Sequence, residues 1–391
     1  MFSERVARLD SSLIREILAI TQRPEVISFA GGLPAADVMP PLDLAGCPAE
    51  LRQYGPSEGE PWLRQAIAEY VTAEGRPCTA DQVLVLSGSQ QGIDFVSKLF
   101  VDPGTPVALE APTYLAAVQS FRLFGARFVE LPVAAGGVDP ERLRAALLSD
   151  RPAFAYLIPT FQNPSGCCYD LATRRAVARL ADEFRLPVVE DEPYRELVYD
   201  QAERTPITSL LERAPWVYLG TFSKTGIPGL RIAYAVASKE IFPQLLRLKQ
   251  AADLHTNRIG QWAAHRLLTA PDREQRLERL RAFYRARRDA MQAALAADFA
   301  GLAEWRLPSG GLFFWLRLRR SVDTQELLRR ALKKNVAFMP GEPFYANPVA
   351  AAGAFRLNFS HAAPERIAQG VTLLKEVAGE VLDGTQRKVV A

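Results

Sequence analysis

Histidine and cysteine are scarce in this chain, with three and four residues respectively among 391. His255, His265 and His361 are scattered, and no spacing joins them to cysteines in a metal-site pattern. Cys47, Cys78, Cys167 and Cys168 show no paired spacing, and the adjacent Cys167 and Cys168 have an awkward geometry for a mutual bridge. An excess of charge of one sign is lacking too. The 47 Lys and Arg against 44 Asp and Glu leave +3, small for this length, so nothing global points to nucleic acid. No run approaches the ~20 apolar residues that a membrane span needs. The first residues, MFSERVARLDSSLIREIL, have no apolar core of the signal-peptide kind. These absences predict a soluble cytoplasmic protein with no bound metal. Neither an internal repeat nor a low-complexity linker interrupts the chain.

Apolar residues make up 48% of the sequence, ample for two cores, and the length exceeds the usual span of one domain. SSLIREIL at 11–18 has the pattern of a short amphipathic helix capped by Ser11 or Ser12. The following PEVISFAGGLPAADVMPP, rich in Gly and Pro, predicts an extended, looped arm. Trp62, Ile67, Tyr70 and Val71 then mark a helix from Pro61 to about Glu74. Short apolar runs at 83–86, 107–109, 128–131, 154–158 and 188–189 predict strands, with helical patterns near 90–100, 113–124, 139–149 and 171–185 between them. That alternation predicts a mostly parallel sheet covered on both faces. Further on, 239–268 and 272–296 predict long helices separated at Pro271. GLFFWLRL, NVAFMP and AFRLNFS predict strands among helices at 323–334 and 364–382, a smaller α/β unit. The expected division is an N-terminal helix and arm at 1–48, a large domain at 49–270 and a small domain at 271–391. In the arginine-rich REQRLERLRAFYRARRD, Glu274, Glu278 and Asp289 interleave the basic residues. Leu277, Leu280, Tyr284 and Met291 mark an inward face, so the run predicts a solvated helix surface, without a nucleic-acid role.

The chemistry concentrates at 216–236, WVYLGTFSKTGIPGLRIAYAV. One apolar run reaches Gly220 and another begins at Ile232, and the polar loop between them presents Lys224 at a strand end. Thr221, Ser223 and Arg231 put hydroxyls and a guanidinium around the amine, as a phosphate cup beside a Schiff-base lysine requires. The alternative is a solvated surface lysine. Upstream, SGSQQGIDF leaves a strand and enters a helix. Backbone N–H groups there bind phosphate, with Ser89 and Gln90 adding donors, although an ordinary Ser89 cap has the same letters. In FQNPSG, Pro164 holds Asn163 extended so that its amide reaches into a site, while Asn-Pro is also a turn signal. VVEDEPYREL carries Asp191 at a strand end and Tyr194 three residues on. Glu190, Asp191 and Glu192 could instead form an acidic loop or a metal site, but the missing histidines and the Asp-x-x-Tyr spacing argue against metal. Arg356, in AFRLNFS, is a cation in an apolar strand and needs a partner, either a substrate carboxylate or a structural one. Gly31 and Gly32, in FAGGLP, let backbone approach a ligand.

In their order and spacing these motifs resemble those of the fold-type I class I/II aminotransferases, over nearly the whole chain. The nearest branch is that of the 2-aminoadipate and kynurenine aminotransferases, including the bacterial lysine-biosynthesis enzymes. The resemblance implies an α/β chain of PLP-dependent transferase fold type I, with a mostly parallel, seven-stranded-type sheet in the large domain and a smaller α/β domain. It implies pyridoxal 5′-phosphate at Lys224, with Asp191 at the pyridine nitrogen and Tyr114 stacked on the ring. Tyr194 and Asn163 would meet the phenolic oxygen, and Ser89, Gln90, Thr221, Ser223 and Arg231 the phosphate. Tyr54, in QYGPSEG, would reach the phosphate of a neighbouring subunit, making a homodimer with shared sites. Arg356 and Asn163 would hold the substrate α-carboxylate, Gly32 would lie over the substrate, and Arg15 would meet the distal carboxylate of an acidic substrate. Catalysis falls to Lys224, Asp191 and Tyr194. The implied reaction is ping-pong transfer of an amino group from 2-aminoadipate, glutamate, leucine or an aromatic amino acid to a 2-oxo acid such as 2-oxoglutarate. Three positions depart from the pattern: Glu192 for a second Asp, Thr221 for Ser, and Asn358 for a small hydroxyl or Ala. A β-lyase, decarboxylase or amino-acid oxidase on this scaffold would use the same cofactor and lysine. A ligand-sensing regulator would carry an N-terminal DNA-binding domain, and only a short arm precedes the fold, which disfavours it.

Overall fold

The sheet of the larger unit follows from strands that are apolar on both faces. In this computed structural model, which describes residues 2–9, 17 and 23–389, the first strand is β1 (Ile27–Ser28). The larger unit adds β2 (Val83–Leu86), β3 (Pro106–Ala111), β4 (Arg127–Ala134), β5 (Gly137–Val138), β6 (Ala155–Leu157), β7 (Val188–Asp191), β8 (Trp216–Thr221) and β9 (Ala233–Ala237). They lie in the order β2-β9-β8-β7-β6-β3-β4-β5. Only β9 and β5 run against their neighbours. The seven-stranded expectation thus holds for the main body, and β5 is a two-residue hairpin addition at the edge, too short to leave an apolar run.

Side chains alternate across this sheet with the two-residue period of a strand. From β2, Leu84 and Leu86 enter one core with Ile93, Val96, Val118 and Phe121 of two helices, Ser89–Phe100 and Leu115–Phe124. Val83 and Val85 enter the opposite core with Leu63, Ile67 and Val71 of the helix Pro61–Ala73. Each such aliphatic or aromatic side chain contributes about 1.5–3 kcal/mol on burial. The same alternation separates three consecutive carboxylates. Glu190 accepts from Ile207 N and Thr208 N at 2.9 and 2.8 Å, and Glu192 accepts from Thr160 Oγ1 at 2.7 Å. Asp191 alone turns to the cavity described below, so the three make no metal cage.

The smaller unit holds the antiparallel sheet β10-β11-β14-β13: β10 (Ala303–Glu304), β11 (Phe313–Leu318), β13 (Met339–Pro340) and β14 (Ala354–Asn358). The remaining strand, β12 (Val336–Ala337), pairs in parallel with β1, which carries the N-terminal arm onto this unit. Val26, Ile27, Phe29, Ala30 and Ala35 share its core with the helices Arg273–Asp298, Thr324–Lys333 and Pro364–Val389. The stretch 239–268 is not one helix. It divides into Phe242–Ala252 and Arg258–Thr269, because Leu254 is left-handed (φ 64°) and the Asn257 side chain caps the second helix at Gly260 N, 2.5 Å away. The expected helix at 11–18, with Ser11, Ser12 and Arg15, lies outside the described residues apart from buried Ile17. Among the described residues no helix is long and apolar enough to cross a membrane.

Candidate active site

Parallel strands put their carboxyl ends on one edge, and ligands of open α/β sheets bind outside that edge. Here β3, β6, β7 and β8 end side by side, and Tyr114, Asn163, Asp191 and Lys224 lie at or just beyond those ends. Together with the arm and the smaller unit they enclose a cavity of about 280 Å³. Ser89, Gln90, Tyr114, Asn163, Asp191, Tyr194, Thr221, Ser223, Lys224, Arg231, Arg356 and Gly32 all line it. Tyr54 does not: its side chain is 76% exposed, beside the His255 ring at 5.7 Å.

Lys224 sits in the turn between β8 and β9, facing the cleft but closely surrounded by protein. Its Nζ donates to Gly32 O at 2.9 Å and lies 5.7 Å from the centre of the Tyr194 ring. Burial, reinforced by the Arg356 and Arg231 guanidiniums, lowers its pKa to about 8, while Asp191 pulls it upward. Asp191 is buried, and desolvation raises its pKa to about 6 against the opposing effects of Tyr156 and Lys224. Tyr156 donates to Asp191 Oδ2 at 2.6 Å, and Oδ1 is buried with no partner among the described residues. A buried, unpaired carboxylate oxygen facing a cavity calls for a donor from a ligand.

Asn163 links two other site residues. Its Nδ2 donates to Tyr194 Oη at 3.3 Å, and its Oδ1 accepts from Arg356 Nη1 at 2.8 Å. Arg356 also donates to Ala30 O at 2.6 Å, and its guanidinium lies 4.2 Å from the Phe313 ring centre and 4.9 Å from that of Phe344. The aromatic faces favour a cation, yet burial lowers its pKa to about 10 and its Nε–H has no partner among the described residues. A guanidinium held among the described residues by one amide and one carbonyl suits an anionic ligand.

At the opposite end of the cavity, the helix Ser89–Phe100 starts at Gly88 with no side-chain cap. Its first-turn N–H groups are the kind that bind phosphate. Gly88 has φ 89°, and a Cβ there would lie 2.2 Å from Arg231 Nη2, so the guanidinium rests against bare backbone. Arg231 reaches Pro228 O at 3.4 Å, and the Thr221 and Ser223 hydroxyls hydrogen-bond each other at 3.0 Å. These donors, the orphan Asp191 oxygen, the low-pKa amine and the Tyr114 ring fit a phosphorylated pyridine aldehyde. The reading from sequence missed Tyr156, Phe313 and Met339. A tyrosine inside the apolar run FAYLI looks like core, and nothing in the letters reveals that Asp191 is beside it.

The family pattern of aminotransferase class I and II matches residues 34–374 of this chain. A 2-aminoadipate transaminase of Thermus thermophilus is 42% identical over 384 residues, covering 95% of each chain. An aromatic-amino-acid aminotransferase of Thermococcus litoralis is 35% identical, covering 97% of this chain and 94% of the relative. The crystal structure of a T. thermophilus alpha-aminoadipate aminotransferase complexed with N-(5′-phosphopyridoxyl)-L-leucine is similar, with a TM-score of 0.89, 40% identity and 98% coverage of each chain. With family pattern, sequence and fold agreeing over almost its full length, the chain belongs to the class I and II aminotransferases, enzymes that use pyridoxal 5′-phosphate to move an amino group between amino and 2-oxo acids.

Proposed function

We propose that Lys224 tethers the cofactor and shuttles the proton, and that the enzyme takes 2-aminoadipate and glutamate as donors. Leucine and aromatic amino acids are further donors, with 2-oxoglutarate as acceptor. The observation that carries the assignment of roles is the convergence of Lys224, Asp191 and Arg356 on one cavity, where Asp191 Oδ1 and Arg356 Nε are buried with no partner among the described residues. When bound, pyridoxal 5′-phosphate supplies a carbonyl that exchanges with the substrate amine and a ring that accepts electron density from Cα.

This chain's residues supply the rest. Lys224 Nζ, with its pKa near 8, takes and returns a proton beside the substrate Cα. Asp191, with Oδ1 buried and unpaired among the described residues, would offer that oxygen to a protonated ring nitrogen. Tyr114 would cover the ring, and Tyr194 and Asn163 would serve its phenolic oxygen. Ser89, Gln90, Thr221, Ser223 and Arg231 would hold the phosphate. Arg356 and Asn163 receive the substrate α-carboxylate, and Gly32 and the arm exclude water from above.

Two further parts of the proposal concern the edges of the site. Arg15 would meet the distal carboxylate of acidic donors, a role carried by resemblance. The relatives named for 2-aminoadipate and for aromatic amino acids support a site that accepts both classes. Exposed Tyr54 would serve the phosphate of a second copy, making a homodimer. A donor series assayed with 2-oxoglutarate tests the function: 2-aminoadipate and glutamate should be used, and Lys224→Ala should abolish turnover of every donor. A wild-type enzyme inactive on both acidic donors, or a Lys224→Ala variant of normal activity, would overturn the reading.

A further inference from the structure

Lys249 is fully buried in the helix Phe242–Ala252 and does not line the cavity. Its Nζ donates to Thr256 Oγ1 at 2.7 Å, and to Gln91 Oε1 and Asp253 Oδ2 at 2.9 Å each, with Ser87 Oγ at 3.4 Å. Burying an ammonium is costly, and an apolar side chain of similar length would fill the space at least as favourably. What the charge holds is therefore informative. Ser87 and Gln91 bracket Gly88, Ser89 and Gln90, the turn that opens the helix at the phosphate end of the cavity.

The bracing continues around the ammonium. Asp253 Oδ2 accepts from Ser87 Oγ at 2.8 Å and from Gln91 Nε2 at 2.9 Å. Gln91 Oε1 accepts from Ser87 N at 2.9 Å, closing the turn on itself. Thr256 Oγ1 donates to Val85 O at 3.1 Å, fixing the strand that leads into the turn. Every one of these bonds lies on the flanks of the turn, which leaves Ser89 and Gln90 facing the cavity. The same segment reaches two more residues of the phosphate end. Asn257 Nδ2 donates to Leu230 O at 3.2 Å, next to Arg231, and Arg258 Nη1 donates to Tyr54 O at 3.2 Å.

We propose that Lys249, acting with Asp253 and Thr256, is a positioning residue for the phosphate cradle. It locks the turn at 87–91 and, through the segment 253–258, sets Arg231 and Tyr54 in register with it. The ammonium touches no ligand: it acts by holding the donors that do. The proposal rests on the reading that Ser89, Gln90 and Arg231 grip the phosphate.

The test separates phosphate from the rest of the cofactor. Dissociation constants of cofactor-stripped enzyme are measured for pyridoxal 5′-phosphate and for pyridoxal, which lacks the phosphate, by quenching of tryptophan fluorescence. Lys249→Met should weaken pyridoxal 5′-phosphate by at least about tenfold, the value of one charged hydrogen bond. Pyridoxal should change by less than about twofold, since no bond of the Lys249 ammonium goes to Asp191, Tyr114, Tyr194 or Lys224. Equal weakening of both, as a general loss of structure would give, overturns the proposal, as does unchanged affinity for pyridoxal 5′-phosphate. If Lys249→Met does not fold, Thr256→Val must show the same phosphate-selective loss at smaller size, and wild-type binding of both ligands by that variant refutes the idea. Arg231→Gln keeps the two readings apart. Without a phosphate-selective loss in that variant the cradle reading itself fails; with one there and none in Lys249→Met, only the brace fails.

Discussion

Lys224 and Asp191 titrate in opposite senses from their ordinary values, for one physical reason. Burial disfavours the charged form of each, so the amine falls to about 8 and the carboxyl rises to about 6. For Lys224 the folded pKa lies below the unfolded one, so its contribution to stability is present above about 10.5 and is lost as pH falls through about 8. Asp191 works the other way, contributing stability below about 3.8 that is lost as pH rises through about 6. The amine's reactivity follows its titration. In cofactor-free enzyme, acylation of Lys224 by a small anhydride, followed by mass spectrometry of the peptide, should reach half its maximal rate near pH 8. A midpoint near 10.5 would mean that neither burial nor the two arginines act on it. Residue identity was legible where the side chain is out of place in its context: a lysine between two apolar runs, an arginine in AFRLNFS, an aspartate at a strand end. Tyr156 was not legible, because a phenol in a buried strand reads as core until the neighbouring strand is aligned beside it.

Elements were legible where burial is two-sided. β2 and the helices between β2 and β7 lie within two residues of the apolar patterns that predict them, since a strand covered on both faces must be continuously apolar. The breaks were harder. The interruption at 253–257 depends on a left-handed Leu254 and on contacts to Ser87 and Gln91 far away in sequence, and no local signal announces it. That interruption places Asp253 and Thr256 against the turn at 87–91, so the element boundary and the shape of that turn share a cause. Gly88 shows how tightly the turn is drawn. A methyl at this position meets Arg231 Nη2 at 2.2 Å, on a backbone whose φ of 89° already disfavours any side chain. Gly88→Ala should therefore displace the guanidinium and lower affinity for pyridoxal 5′-phosphate by about tenfold or more, the loss of one charged contact. Equilibrium dialysis of the variant checks this, and wild-type affinity would show that the turn and Arg231 do not cooperate.

At the scale of the whole molecule, apolar groups stand in solvent near Tyr54 as well as elsewhere on the described surface. Leu42, Leu44, Leu254 and Ile259 are each at least 40% exposed, and Tyr54 more so. Hydrogen bonds from Arg258 to Glu50 O, Gln53 O and Tyr54 O, and from Arg266 to Ala45 O, draw 45–54 against the helix Arg258–Thr269. Clustered exposed apolar side chains are a general mark of association surfaces, and in the proposed homodimer Tyr54 would reach the other copy. No spacing in the sequence contains this information; it emerges only when the arm is folded against the helix. If Tyr54 completes the partner's site, complementation follows. Lys224→Ala and Tyr54→Ala variants are each expected to be strongly impaired alone. In a mixed dimer, the site that holds the intact Lys224 receives the intact Tyr54 from the Lys224→Ala chain, and the other site carries both defects. Equal mixing with random reassociation makes half the dimers mixed, each with one working site of two, so about a quarter of wild-type activity should return. Activity no higher than the average of the two separate variants would mean that each chain builds its site alone.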